Sequence, residues 1–307
     1  MVNPGNLMAG KRGLVMGVAN DHSIAWGIAQ ALHNQGASLA FTYQGEGIGK
    51  RVKPLAASVG SNLVLPCDVT NADSLSSVFD ALKSAWGTID FVVHAIAFSD
   101  KRELKGRYVD TTRENFAMTL DISCYSFTDV ARRAAELMPN GGSLLTLSYA
   151  GAERVMPNYN VMGVAKAALE ASVRYIAADL GRQGIRANAL SAGPMRTLAG
   201  SAISDARLVF RWNRLNAPLH RNMDLEDVGG AALYLLSDLA AGVTGETHHV
   251  DGGYNIVGMP QGADLKAAVA EMTAENGNGN GKPNGNGASD AAEDAAADTP
   301  LPRAPLQ

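Results

Sequence analysis

The chain has 307 residues, 46% of them hydrophobic and 18% charged, and 26 basic against 30 acidic side chains leave a net charge of −4. That length and apolar content suit one α/β domain with a substantial core plus a tail, and the acidic balance argues against a nucleic-acid binder, which carries a basic excess. The two cysteines, Cys67 and Cys124, exclude a disulfide framework and a paired-cysteine metal site.

No apolar run approaches the roughly 20 residues of a membrane span. Met1 to Gly10 lacks the basic-then-apolar pattern of a secretion signal. The expectation is a cytoplasmic protein in a reducing compartment, with no membrane or nucleic-acid partner and no metal. Residues 273–307 separate from the rest by composition. They run from Asn/Gly repeats through an acidic Ala-rich stretch to a Pro-rich end, with five acids and two bases. Such a segment cannot bury enough apolar surface to offset its ordering entropy. The expected organisation is therefore one domain over residues 1–272 and a disordered tail over 273–307.

The elements alternate along the body. Gly13 to Val18 reads as a buried strand, and Ser23 to Gly36 as a helix with Ser23 at its N-cap and Gly36 as its stop. Ala37 to Gln44 and Asn62 to Val69 read as strands two and three. A helix follows from Asp73 to Trp86. Ile89 to Phe98, nearly all apolar, has the pattern of a strand covered on both faces. One long helix is expected over Arg113 to Leu137, and strand five over Gly142 to Tyr149. Asn158 to Arg182 is helical, and Ile185 to Gly193 is strand six. Two helices, Ser201 to Asn216 and Leu225 to Asp238, precede a seventh strand, Thr247 to Gly253. This alternation specifies an α/β fold: a Rossmann-like, doubly wound, seven-stranded parallel sheet with helices on both faces.

The first turn, Gly17 to Gly27, is where such a sheet approaches a pyrophosphate with backbone N–H groups and a helix N-terminus. The common GxGxxG spacing is absent. On this motif alone a dinucleotide site and an ordinary glycine turn are both open. At the end of strand two, where an acid would select NAD and an Arg would accept a 2′-phosphate, stands the neutral Gln44. It can bond a ribose hydroxyl and brings no charge to a phosphate, which favours NADH. Lys50, Arg51 and Lys53 read either as helpers at that site or as a solvated helix start. Asp68 and Val69, after strand three, either meet an adenine edge or begin the next helix.

The sharpest constellation spans Ser148 to Lys166. Tyr149 ends strand five, and Tyr159 and Lys166 are seven residues apart, two turns along one helix face. An ammonium there can hold ribose hydroxyls and ease nearby negative charge, and a phenol can bond the oxygen on which that charge develops. The Tyr-x3-Lys spacing of carbonyl-reducing short-chain enzymes fails, because Met162 stands four before Lys166. A tyrosine almost one turn farther away suits hydride delivery to a β-carbon, with charge appearing on a more distant thioester oxygen.

Several stretches together resemble one family. They are Gly17–Gly27, Ala40–Gln44, Leu144–Tyr149, Pro157–Lys166, Ser191–Leu198 and His249–Gly253. Over about Gly10 to Gly258 the chain is similar to the bacterial NADH-dependent enoyl-acyl-carrier-protein reductases, divergent members of the short-chain dehydrogenases/reductases. The resemblance implies a Rossmann fold, assembly as a homotetramer, NADH as cofactor, and an enoyl thioester on acyl-carrier protein as substrate. It implies Tyr149, Tyr159 and Lys166 as catalytic residues. It implies cofactor contacts at Gly17, Ser23, Ile24, Gln44, Asp68, Val69, Ile96 and Lys166, and along Met195, Arg196, Thr197, Leu198 and Ala199. Ser99 matches the residue placed against the substrate. Ala97 and Ser99 stand where the family often has Gly and Ala, and Ala206 and Val209 where larger apolar residues occur, which implies a pocket of altered shape.

Other features read more simply. His248 and His249 are adjacent and point to opposite faces of a strand, so they do not chelate together. The two cysteines read as small core residues. Arg207, Arg211 and Arg214 share one helix face, with Arg221 close behind. They form either a solvated surface or a steering patch for an acidic carrier.

Overall fold

The computed structural model describes residues 5–195, 197, 206–259, 262, 266, 269 and 270. The expectations at Arg196, Leu198, Ala199 and residues 201–205, and those on the tail, lie outside the described residues. Met1–Pro260 form one compact unit, and Gln261–Gln307 are a second.

In the first unit, strands β1 (Arg12–Met16), β2 (Ser38–Tyr43), β3 (Val64–Pro66), β4 (Phe91–His94), β5 (Gly142–Ser148), β6 (Ile185–Ala192) and β7 (Thr247–Val250) form one sheet. Its order is β3-β2-β1-β4-β5-β6-β7 and every pairing is parallel. The helices are α1 (Ile24–Asn34), α2 (Glu46–Ser58), α3 (Ala72–Trp86), α4 (Arg113–Leu120), α5 (Ser126–Glu136), α6 (Asn160–Leu180), α7 (Ala206–Asn216) and α8 (Leu225–Leu236). The strand order reverses between β1 and β4, and a doubly wound sheet opens its crevice at that switch point.

Alternating strand residues divide the core. Leu14, Met16, Val92 and Leu144 pack with residues of α3, α5 and α6 on one face. Val15, Phe41, Val93 and Leu145 pack with α1 and α8 on the other. This is why consecutive residues of the central strands, such as Leu14, Val15 and Met16 or Phe91, Val92 and Val93, are all apolar and buried. Helices α1 and α8 approach through two glycines: a Cβ on Gly27 would sit 2.7 Å from that of Leu225, and one on Gly229 would sit 3.0 Å from that of Ala31.

Three expectations are corrected. Strand β3 is only three residues long and lies at the edge of the sheet, where Pro66 removes no ladder bond: the Cys67 N–H beyond it still donates to the Tyr43 carbonyl at 2.8 Å. Strand β4 stops at His94, four residues early, because the chain leaves the sheet at the switch point and Ala95–Ser99 turn to line the crevice. The single helix expected over Arg113 to Leu137 is broken by a π turn at Asp121–Tyr125. Polar bonds accompany the break. The Ser126 hydroxyl donates to the Ile122 carbonyl at 2.6 Å and lies 2.8 Å from His94 Nε2, and Ser123 Oγ accepts the Phe98 N–H at 3.0 Å. Single π turns inside α-helices recur at functional sites, and here Ile122 faces the crevice. Lys50, Arg51 and Lys53 fall in α2, with the Lys53 ammonium 5.2 Å above the Tyr43 ring.

Candidate active site

A cavity of about 680 Å³ occupies the crevice. Its walls include Gly17, Ile24, Gln44, Asp68, Val69, Ile96, Ser99, Tyr149, Tyr159, Lys166, Met195 and Thr197. The expected residues that fall within the described chain thus meet in one space, with the exception of Ser23. That hydroxyl accepts the N–H groups of Ala19 and Asn20 at 3.0 and 3.1 Å and makes no bond to the N-terminus of α1. Ser23 therefore shapes the glycine turn from behind.

Gly17 has φ +97°, and a Cβ there would lie 2.1 Å from the Ala95 carbonyl oxygen. Only glycine lets this turn lie against the end of β4. At the far end, Gln44 bonds Asp68 through its side chain, and Asp68 accepts both the N–H and the hydroxyl of Thr70. The Thr70 backbone bond, foremost, holds the Asp68 carboxyl below its ordinary range. Helix α3 is capped by Asn71, whose side chain accepts the Ser74 N–H, so Asp68 is left facing the cavity. Cys67, a buried core residue as expected, also lines the cavity, and burial pushes its thiol up to about 11.

Lys166 is 6% exposed, and its ammonium donates to the Leu147 carbonyl at 2.7 Å. An ammonium has three donors. Among the described residues Leu147 supplies the one acceptor within hydrogen-bond reach, and the rest of the group faces the cavity. Burial lowers its pKa from 10.5 to about 8, with Cys124 and Glu170 opposing the shift. Tyr159 is buried and packs edge-on against Tyr149, with ring centroids 5.1 Å apart. Desolvation raises both phenols, Tyr149 to about 12, so both stay protonated near neutral pH.

Tyr159 lies at the N-cap of α6 rather than inside it, which corrects the two-turn expectation. Its neighbours Asn158 and Asn160 have φ of 57° and 35°. Asparagine tolerates this left-handed region better than most residues. The Asn160 amide also donates to the Glu103 carbonyl at 3.0 Å, tying the tyrosine's segment to the loop before α4. Two glycines that the sequence reading missed complete the fit. A Cβ on Gly151 would lie 2.3 Å from Tyr159 Cδ1, and one on Gly163 2.7 Å from the Gly151 carbonyl oxygen. Their only signal was glycine on either side of a candidate tyrosine.

The Ser99 hydroxyl is turned away from the cavity. It is bonded by Thr119 Oγ1 at 2.9 Å and lies 3.3 Å from Asn115 Oδ1, which also takes the Asp100 N–H at 3.0 Å. Val209 and Phe210 of α7 line the opposite wall. Arg211 and Arg214 are half-buried and each is engaged with a partner. Arg221 forks onto Asp227 at 2.5 and 2.8 Å. Of the face expected of Arg207, Arg211 and Arg214, the Arg207 side chain lies outside the described residues. His249 bonds Glu153 at 3.1 Å, and His248 lies against the Tyr234 ring. Among the described residues no cluster suits a metal ion.

Comparison with known proteins places the chain. The family model described as enoyl-(acyl carrier protein) reductase matches residues 17–255. An enoyl-[acyl-carrier-protein] reductase [NADH] of Rhizobium meliloti is 67% identical over 265 residues, covering 86% of this chain and 99% of its own. A counterpart in Rickettsia felis is 58% identical over 252 residues, covering 82% and 97%. The crystal structure of the Anaplasma phagocytophilum enoyl-acyl-carrier-protein reductase in complex with NAD superposes with a TM-score of 0.82 at 62% identity, covering 85% of this chain and all of that one. The fold, the matched length and these identities agree: the chain belongs to the NADH-dependent enoyl-[acyl-carrier-protein] reductase family of short-chain dehydrogenases/reductases.

Proposed function

We propose that this chain reduces the trans-2 double bond of enoyl thioesters on acyl-carrier protein, and that Tyr159, Tyr149 and Lys166 carry the reaction. It is an NADH-dependent oxidoreductase of fatty-acid elongation, acting at the last reductive step of the cycle. The observation that carries the residue assignment is the convergence of a buried ammonium with unfilled donors and two protonated phenols on one cavity, with Met162 where a carbonyl reductase would place its tyrosine.

The residues present suit a dinucleotide. The turn at Gly17 leaves backbone free to approach a pyrophosphate, Gln44 and Asp68 offer hydrogen bonds at the adenosine end, and Val69 and Ile96 give apolar walls. Ile24, Met195 and Thr197 complete this group, with Arg196, Leu198 and Ala199 continuing the last segment. NADH, when bound, supplies the hydride that the β-carbon receives. Lys166 holds the ribose hydroxyls with its free donors, and its charge favours a nearby developing anion. Tyr159 donates a hydrogen bond to the thioester oxygen, where negative charge grows in the transition state. Burial keeps the phenol protonated near neutral pH, so its hydroxyl is able to donate that hydrogen bond, and the carbon finally takes a proton that comes from solvent. Tyr149 packs against Tyr159 and lines the acyl path, and Ser99 contributes its backbone at the substrate wall.

The catalytic unit spans residues 1–272, with 273–307 as an appended tail, and the enzyme is cytoplasmic. A homotetramer would cover apolar side chains exposed on single subunits, such as Tyr125, Tyr175, Leu239 and Ile256. The direct test is loss of NADH absorbance with crotonyl and longer enoyl thioesters, with a 3-oxoacyl thioester as control. Tyr159→Phe should lower kcat more than it raises KM. Turnover of the 3-oxoacyl compound alone, or wild-type kcat in Tyr159→Phe, would reject the assignment.

A further inference from the structure

One buried acid near the catalytic pair has no part in the reaction as described so far. Glu170 lies one turn beyond Lys166 on α6 and is 8% exposed. A residue four positions along a helix sits on the same face as its partner, about 5–6 Å away. Its Oε1 accepts a short hydrogen bond from the Ser148 hydroxyl, itself 6% exposed. Ser148 is the last residue of β5. It stands between Leu147, whose carbonyl receives the Lys166 ammonium, and Tyr149, whose ring packs against Tyr159.

We propose that Glu170 is a positioning residue for the reductase reaction: through Ser148 it fixes the end of β5 that carries the Leu147 carbonyl and Tyr149, and its carboxylate, one turn along α6, acts on the Lys166 ammonium that holds the ribose. This rests on the reading above that Lys166 serves the cofactor.

The charge argument follows from what surrounds the two groups. Lys166 is flanked by Glu170 on its own helix, with Cys124 of the π turn acting on it and its own charge acting on buried His94 of β4. His94 is held neutral by burial, with Lys166 adding to that effect, so it contributes no competing charge near neutral pH. Glu170 feels Glu153, which disfavours its ionisation, and His249 and Arg174, which favour it. Burial is the largest influence and raises the Glu170 pKa, while the bond from Ser148 opposes that by donating to the carboxylate form. Tyr159 also feels Glu170, which raises its pKa and helps keep the phenol protonated. A carboxylate at this point therefore favours both the charged lysine and the neutral tyrosine, the two protonation states the chemistry uses.

The two functions separate by substitution. Glu170→Gln keeps an acceptor for Ser148 and removes the charge outright, whereas Ser148→Ala removes the anchor and leaves the carboxyl in place without the bond that favours its ionised form. The first measurement is the NADH dissociation constant of the full-length enzyme against pH, read by tryptophan fluorescence without substrate. Losing the carboxylate lowers the Lys166 pKa, so the alkaline weakening of binding should begin at lower pH. At about pH 8 the variant should bind NADH about three- to tenfold more weakly than wild type, while near pH 6 the two should agree within about twofold. Ser148→Ala should move that pH profile less than Glu170→Gln does, because the carboxyl stays, and lower kcat about tenfold, since it displaces the Tyr149 end of β5. Melting temperatures of both variants separate these effects from unfolding.

A Glu170→Gln profile that superposes on wild type overturns the electrostatic role, and wild-type kcat in Ser148→Ala overturns the anchoring role. If the wild-type enzyme fails to reduce enoyl thioesters, the proposed function falls instead. The two failures are thus distinguishable.

Discussion

Replacing Lys166 by Met should stabilise the cofactor-free protein while abolishing its affinity for NADH. The ammonium is 6% exposed, and burial lowers its pKa from 10.5 to about 8. A displacement of that size corresponds to about 3 kcal/mol of unfavourable charge burial in the folded state. The sign follows from proton binding. Between about pH 8 and 10.5 the unfolded chain holds a proton at this lysine that the folded chain has released, so wild-type stability rises with pH through that window. Below it the full cost is present. Methionine has a similar length and no charge, but it forfeits the bond to the Leu147 carbonyl, which offsets about 1.5 kcal/mol. The net gain near pH 7 is about 1–2 kcal/mol, or a Tm higher by roughly 2–8 °C for a unit of this size. Calorimetry of the two proteins at about pH 7 and pH 10 provides the test, because other groups titrating at high pH cancel in the difference. A variant less stable than wild type at neutral pH, or a stability difference independent of pH, would refute the argument.

Two further substitutions test the walls of the site. Gly151→Ala should drive a Cβ to within 2.3 Å of the Tyr159 ring; steady-state kinetics should show kcat reduced at least about tenfold, with NADH affinity changed far less, because a small misplacement of a reacting group is costly. Gln44→Glu should place a carboxylate at the adenosine end beside Asp68 and sharpen the preference for NADH, read as a rise in the ratio of kcat/KM for NADH over NADPH by about tenfold through repulsion of the 2′-phosphate.

The sheet was legible because burial on both faces writes itself into every residue of a central strand. Leu14, Val15 and Met16 are each fully buried, and no surface element has reason to be so uniformly apolar. The candidate site was legible at Tyr149, Tyr159 and Lys166, which the structure brings to one cavity, because those residue types at that distance from strand five have few other uses. Three things escaped. The break at Asp121–Tyr125 leaves the helical period nearly intact, so the apolar pattern cannot reveal it. Its cause is a set of partners on β4 and the loop after it, brought near only by folding. The turned-away hydroxyl of Ser99 depends in the same way on Thr119 and Asn115, some twenty and sixteen positions distant. Glycine at Gly151 and Gly163 records the absence of a side chain, and an absence shows its meaning only when the ring that fills the space is in view.

The placement of Tyr159 links these limits to function. A tyrosine inside α6 would be set by helical geometry alone, with its position relative to Lys166 fixed by the residue count. At the N-cap it is set instead by two left-handed asparagines and by the bond from Asn160 to the Glu103 carbonyl. Positive φ at non-glycine residues costs energy and persists only where surrounding contacts enforce it. Here the contacts come from the loop leading to α4 and from the glycine pair beneath the ring. The family's departure from the Tyr-x3-Lys spacing is thus a change in what holds the phenol. The helix that carries Lys166 no longer dictates where the Tyr159 hydroxyl sits in the cavity, and the loop leading to α4 does. Shape changes along that loop, at Ala97 and Ser99 among them, can then move the phenol within the cavity without disturbing Lys166, which is held by the Leu147 carbonyl.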